Sequence, residues 1–75
     1  MNAVGKNLKQ LRQREKLTQD ALAERLHVTR QAVSSWETGK TQPDIETLTA
    51  LAEALHADIR ELIYGPEQMA RPYAR

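Results

Sequence analysis

Apolar residues recur along the chain at the spacing of a helix, and residues that begin or end helices bound each series. The first series consists of Val4, Leu8 and Leu11. It predicts a helix from about Val4 to Lys16. The second series consists of Leu22, Ala23 and Leu26. It predicts a short second helix with Thr18 as its N-cap, because a threonine hydroxyl accepts a hydrogen bond from the open backbone N–H groups of a first helical turn.

The rest of the pattern predicts further helices in the same way. Thr29 is the N-cap of a third helix that ends near Gly39, and Asp44 is the N-cap of a fourth. Asp58 begins a last turn or two before the pair Gly65-Pro66 stops the fold. The residues predicted to face inward are Ala32, Val33 and Trp36 in the third helix, Ile45, Leu48, Leu51, Ala52 and Leu55 in the fourth, and Ile59, Leu62 and Ile63 in the last.

Composition favours a single domain that is wholly helical. The 75 residues suffice for one modest core, since a chain this short buries only about 60% of its unfolded surface. There is no Phe, and the aromatic residues are Trp36, Tyr64 and Tyr73, which suits packed helices better than a sheet. We expect an all-α fold, a compact bundle of about five short helices, over residues 1–65. Residues 66–75 read as a flexible tail or the start of a linker.

Charge is distributed unevenly along the chain, although the net charge is only +1. Residues 1–42 carry eight basic and four acidic side chains, a net +4, whereas residues 43–75 carry three basic and six acidic, a net −3. A polyanion would bind the first half, although such charges also serve simply to solvate helix faces. The chain has no cysteine and no apolar run near the roughly 20 residues of a membrane span. We therefore expect a cytoplasmic protein that does not enter a membrane.

The connection between the second and third helices is the most informative segment. Only residues 26–29 join the two helices, and so short a connection forces a sharp angle between them, as in a helix-turn-helix. Ala23 lies where the helices approach most closely, so a larger side chain would separate them. The outer face of the third helix then presents hydrogen-bonding side chains without an evident structural role, namely Arg30, Gln31, Ser34 and Ser35.

With these features the sequence resembles the Cro/cI-type helix-turn-helix family, also called the xenobiotic-response-element (XRE) family, of bacterial and phage transcriptional regulators. The resemblance covers residues 5–64 and rests on three segments. They are residues 17–26 (LTQDALAERL), residues 28–40 (VTRQAVSSWETGK), and Pro43-Asp44 followed by Leu48, Leu51 and Leu55. The family fold is a lambda-repressor-like DNA-binding domain, so the resemblance implies that fold here.

The resemblance also implies a role for individual residues, with the recognition helix, about residues 29–37, in the major groove of double-stranded DNA. The residues that would contact bases are Arg30, Gln31, Ser34 and Ser35. Those that would contact phosphates are Gln19, Thr29, Lys40 and Thr41. Arg30 and Gln31 are the stronger candidates for base recognition, since arginine pairs bidentately with guanine and glutamine with adenine. Arg12 and Glu37 commonly pair in this family, and we interpret them as structural.

One position departs from the family pattern, because His27 stands where a turn glycine is usual. A left-handed conformation there costs roughly 1 kcal/mol. His27 and His56 both lie at predicted helix ends without a partner at metal-ligand spacing, so we predict no metal site and no cofactor. Ser34 and Ser35 lack an acid and a histidine at positions that would activate a nucleophile, so we predict no enzyme.

The resemblance implies a sequence-specific transcriptional regulator, a repressor, in a family whose members commonly bind as two-fold dimers. One domain this small also makes few DNA contacts, so we expect a homodimer on an inverted-repeat operator. The candidate dimer interface consists of Ile59, Leu62, Ile63 and Tyr64, although the core of the monomer could instead require these residues. The alternative function is a protein-interaction module, or an antitoxin-type domain, in which the last helix holds a further protein partner.

Overall fold

The computed structural model describes residues 4–66, which form five helices joined by short turns. They are α1 (Val4–Arg14), α2 (Gln19–Leu26), α3 (Arg30–Thr38), α4 (Ile45–Ala54) and α5 (Ile59–Tyr64). The predicted all-α fold is confirmed. The predicted tail lies, from residue 67 onward, outside the described residues.

Each of the helices from α2 to α5 begins at the cap that the sequence predicts. The four N-caps are Thr18, Thr29, Asp44 and Asp58. Asp58 forms a capping box with Glu61, whose carboxylate accepts the Asp58 backbone N–H at 3.0 Å.

Hydrogen bonds from the side chain and the backbone of Arg60 lower the pKa of Asp58 to about 2. The charged carboxylate of Asp58 therefore stabilises the fold fully at a pH above the ordinary pKa of an aspartate. This contribution is lost as the pH falls through about 2.

Three helices are followed, within two residues, by a left-handed residue that is not glycine. Lys16 and His27 have a φ of 59°, and His56 has a φ of 53°. α1 ends at Arg14, two residues before the predicted end, because the left-handed Lys16 lets the N–H of Leu17 bond back to the carbonyl of Arg12 at 3.0 Å. His27 adopts the conformation that its position in the turn predicts.

The core lies between all five helices. Its fully buried side chains are Leu8, Leu11, Leu22, Val33, Leu51, Leu55 and Leu62. Trp36, which is predicted to face inward, is half-buried and packs against this core. Asn7 is also buried, and its side-chain amide donates to the carbonyl of Leu62 at 2.8 Å. This bond ties α1 to α5 and leaves no buried amide unsatisfied there.

Two of the residues that the sequence predicts to face inward are exposed instead. Ile45 is 70% exposed because it is the first residue of α4, and the helix meets the core only from Leu48 onward. Ile63 is 41% exposed. Successive residues of a helix point about 100° apart, so Leu62, which occupies the buried position of the short helix α5, turns Ile63 outward.

Gly5 allows α1 to approach the end of α3 closely. A Cβ atom on Gly5 would lie 2.7 Å from the carbonyl oxygen of Glu37 and closer still to that of Trp36. We expect Gly5→Ala to destabilise the fold by about 1–3 kcal/mol, the usual cost of overpacking, even though alanine favours a helix by about 1 kcal/mol over glycine. Thermal unfolding followed by circular dichroism measures the change. Lys9→Ala, at an exposed position of α1, is the control, and a raised melting temperature in Gly5→Ala would contradict the prediction.

Candidate nucleic-acid interface

The sharp turn between α2 and α3 sets the geometry of the candidate interface. The backbone N–H of Val28 donates to the carbonyl of Ala23 at 3.0 Å, which closes α2 beside the left-handed His27. Ala23 is 4% exposed, and Leu22 and Val33 are fully buried between the helices. The two helices therefore form one rigid unit in the predicted helix-turn-helix arrangement.

The four predicted base-contacting residues lie on one face of α3, because residues four apart share a face of a helix. Arg30 and Gln31, at the start of α3, are exposed. Ser34 and Ser35, one turn further, are half-buried. The longer side chains are thus the more accessible, and the serines lie in a partly covered position.

Three of the predicted phosphate-contacting residues lie at the two ends of α3. The hydroxyl of Thr29 accepts the N–H of Ala32 at 3.1 Å and so caps the helix. Lys40 and Thr41 are exposed in the turn after α3, and their backbone N–H groups donate to the carbonyl of Ser35 at 3.0 and 3.4 Å. These bonds hold the backbone of Lys40 and Thr41 against the end of α3.

A groove of about 350 Å³ lies between the start of α1 and the segment that follows α3. Thr41 and Lys6 both line it. Lys6 was missed by sequence reasoning, because only its charge distinguishes it, and the approach of α1 to the end of α3 is a tertiary contact. The groove therefore adds a second cation to the side of the molecule that carries Thr41.

The carboxylate of Glu37 links three helices. It accepts hydrogen bonds from Arg12 Nε at 2.6 Å, from Arg12 Nη2 at 3.2 Å and from Gln19 Nε2 at 3.0 Å. The side chains of Arg12 and Glu37 are only 11% and 3% exposed. Arg12 also donates to the carbonyl of Leu17 at 2.7 Å, just before α2. α1, α2 and α3 are thus held in one orientation by a nearly buried ionic network.

Gln19, the fourth predicted phosphate-contacting residue, takes part in this network. One of its amide hydrogens is donated to the carboxylate of Glu37. A glutamine amide carries two donor hydrogens, so a second one remains. Sequence reasoning missed the bond to Glu37 because 18 residues separate the two positions and no local pattern links them.

Asp20 lies beside Arg30 on the accessible side of the two helices. The distance from Arg30 Nε to Asp20 Oδ1 is 3.6 Å, and the two side chains are 60% and 78% exposed. From the sequence, Asp20 is simply an acidic residue near the positive end of α2. Its position beside a predicted base-contacting residue is visible only in the folded chain.

The residues of the candidate dimer interface divide between core and surface. Leu62 is fully buried, so its side chain belongs to the core of the monomer. Ile59 is partly buried and packs against the core. Ile63 and Tyr64 are 41% and 64% exposed, which leaves these two as the accessible members of the set.

The structure of residues 4–66 also bears on metal binding and on membrane insertion. This part of the chain holds no group of three or more histidine, cysteine or acidic side chains arranged to bind a metal ion. None of its helices is long and apolar enough to cross a membrane. The exposed His56 has Glu15 as its neighbour, with Nδ1 3.2 Å from Oε1.

Comparison with known proteins identifies the family. Residues 8–62 match the family model described as "Helix-turn-helix". The chain therefore belongs to the helix-turn-helix family, as its resemblance to Cro/cI-type regulators predicts.

Individual relatives agree with this assignment. The HTH-type transcriptional activator BcrR of Enterococcus faecalis is 45% identical over 60 residues, which is 80% of this chain and 29% of BcrR. An SPbeta prophage-derived uncharacterized HTH-type transcriptional regulator of Bacillus subtilis, YonR, is 33% identical over 92% of this chain and 76% of its own length. The crystal structure of the P22 c2 repressor in complex with a synthetic operator superposes with a TM-score of 0.76 and 34% identity, over 83% of this chain and 94% of that one. The chain thus spans under a third of the length of BcrR.

The ionic network makes a prediction about stability. Arg12→Met leaves the buried carboxylate of Glu37 without its cation, and we expect a loss of about 3–5 kcal/mol in the free energy of unfolding. The double variant Arg12→Met/Glu37→Leu should recover much of this loss, since an apolar replacement of both partners removes the unpaired charge. Urea denaturation measures both changes.

Arg14→Met is the matched control for Arg12→Met, because Arg14 lies on the same helix and pairs with Glu61 at a more exposed position. Its cost should be about 1 kcal/mol or less. Equal losses in the two single variants would show that burial of the Glu37 network is not what stabilises the fold.

Proposed function

We propose that this chain binds double-stranded DNA sequence-specifically, with α3 in the major groove, as the DNA-binding domain of a transcriptional regulator. The observation that carries the proposal is the exposure of Arg30 and Gln31 at the start of a helix whose other side is anchored through Glu37. A rigid helix with free donors and acceptors at its N-terminal end is the part of a helix-turn-helix that reads base edges.

Base readout would come chiefly from the two long side chains. The guanidinium of Arg30 can donate to O6 and N7 of guanine, and the amide of Gln31 can bond to N6 and N7 of adenine. Each such pair contributes about 1–3 kcal/mol of discrimination against other bases. Ser34 and Ser35 are short and half-buried, so they reach the groove through bridging water.

Phosphate contacts would lie on either side of the base-contacting residues. The second amide hydrogen of Gln19 and the open N–H groups at the start of α2 would bind one phosphate. Thr29, Lys40 and Thr41 would bind others, with Lys6 on the same groove as Thr41. The net charge of +4 over residues 1–42 supports this side of the molecule as the one that meets the polyanion.

The regulator would act in the cytoplasm, as a repressor and as a homodimer on an inverted repeat. Occupying a promoter requires DNA binding alone, which is why repression is favoured over activation. Ile63 and Tyr64 are the exposed apolar residues of α5 that would meet their counterparts across a two-fold axis. That the relatives are named as transcriptional regulators favours DNA binding over a protein-interaction module.

Selection of bound sequences from a random duplex pool tests the proposal. We expect enrichment of an inverted repeat with half-site centres about 10–10.5 base pairs apart or a multiple of that spacing. Titration of the selected duplex at two salt concentrations should show the steep loss of affinity that phosphate contacts produce. Weak binding without enrichment of any sequence would refute the proposed function.

Two alanine variants separate the roles of base and phosphate contacts. Arg30→Ala should weaken binding to the selected duplex by about 5- to 150-fold, equivalent to about 1–3 kcal/mol, and should weaken binding to an unrelated duplex far less. Lys40→Ala should weaken both duplexes to the same extent and reduce the salt dependence by about one counterion. If Arg30→Ala affected both duplexes equally, Arg30 would be a phosphate contact and not a reader of bases.

A further inference from the structure

We infer that Asp20 is a positioning residue for Arg30 and a determinant of base specificity. The inference rests on the proposed function, because it concerns how Arg30 reads a base. Asp20 is the second residue of α2 and Arg30 is the first of α3, and the turn at His27 brings their charged groups to 3.6 Å.

The atoms involved decide what the carboxylate does. The contact joins Asp20 Oδ1 to Nε of Arg30, which is the edge of the guanidinium nearest its own stem. Because the contact involves Nε, Nη1 and Nη2 at the far end of the guanidinium remain available as donors. Two parallel N–H donors match O6 and N7 of guanine. Asp20 therefore orients the fork so that its free end faces the base.

The weakness of this ion pair suits such a role. Both groups are more than half exposed, and a separation of 3.6 Å is too long for a direct hydrogen bond. An exposed pair of this kind changes an equilibrium by about fivefold or less. The carboxylate thus restricts the guanidinium to one side without a strong bond that DNA would have to break.

The negative charge of Asp20 also acts against binding to arbitrary DNA. Non-specific binding consists almost entirely of phosphate contacts. A carboxylate beside Arg30 repels phosphates and lowers the attraction of Arg30 for them, whereas a guanine edge bound at Nη1 and Nη2 leaves the pair intact. Asp20 therefore lowers non-specific affinity and raises the preference for guanine, and the specificity ratio depends on both.

Asp20→Asn tests the inference, because it removes the charge and keeps the shape. We expect the affinity for an unrelated duplex to rise about two- to fivefold. Preference for guanine should fall by a similar factor at the base pair whose preference Arg30→Ala abolishes. In the Arg30→Ala background, Asp20→Asn should leave base preference unchanged. Glu53→Gln, at an exposed position of α4, makes the same change in net charge and should leave base preference as in the wild type.

A measurement without DNA tests the contact itself. The Nε–H resonance of Arg30 in the free protein should shift in Asp20→Asn and stay in place in Glu53→Gln, in spectra that also report whether each variant is folded. An unshifted resonance in a folded Asp20→Asn variant would overturn the inference. So would an unchanged guanine preference, or a change that persists in the Arg30→Ala background, since Asp20 would then act through net charge or through its own base contact.

Failure of the proposed function can be distinguished from failure of the inference about Asp20. If the wild-type chain selects no sequence, the proposed function fails and this inference fails with it. If the wild type selects a sequence and Asp20→Asn retains the full guanine preference, only the inference about Asp20 fails.

Discussion

The carboxylate of Glu37 is the group on which the mutual arrangement of α1, α2 and α3 depends. It is almost completely removed from water and accepts hydrogen bonds from Arg12 on α1 and Gln19 on α2. A buried carboxylate is tolerated only with its partners in place, because the cost of removing the charge from water is otherwise not offset. The orientation of α3 relative to α1 and α2 is therefore set by a polar network and not by apolar packing alone.

Close packing supplies the second constraint on α3. Gly5 lets the backbone of α1 approach the carbonyls of Trp36 and Glu37, and Ala23 lets α2 approach the start of the same helix. Small residues at both contacts keep α3 near the core, where Val33 is fully buried. The helix is thus held on its inner side and at both ends. Its outer face has no role in the packing of the domain.

Because the inner side of α3 stabilises the fold and its outer face does not, exposed residues of so small a domain can determine which DNA sequence it binds. Arg30, Gln31 and Asp20 project from a rigid base and have little role in the core. Substitutions there can change what the surface recognises without a large change in stability, since exposed positions contribute little to folding. Gln19 is the exception, because it belongs both to the buried network and to the surface that would meet a phosphate.

Much of the fold is visible in the sequence because its signals are local. Threonine and aspartate caps act on backbone groups two or three residues away, and apolar spacing marks the buried face of a helix as long as the helix is several turns long. The same rule was wrong for Ile45 and Ile63, which lie at a helix start and in a helix of six residues. In such short or terminal segments the spacing does not specify which side is covered.

The sequence by itself determined the five helices, most of their ends, the family, and the candidates for reading DNA. Tertiary structure alone decided how those candidates are held. The bond from Asn7 to Leu62 spans 55 residues, and that from Gln19 to Glu37 spans 18, while the pairing of Asp20 with Arg30 depends on the angle between two helices. Contacts between distant residues follow from the packing of whole helices, so no spacing rule along the chain can predict them.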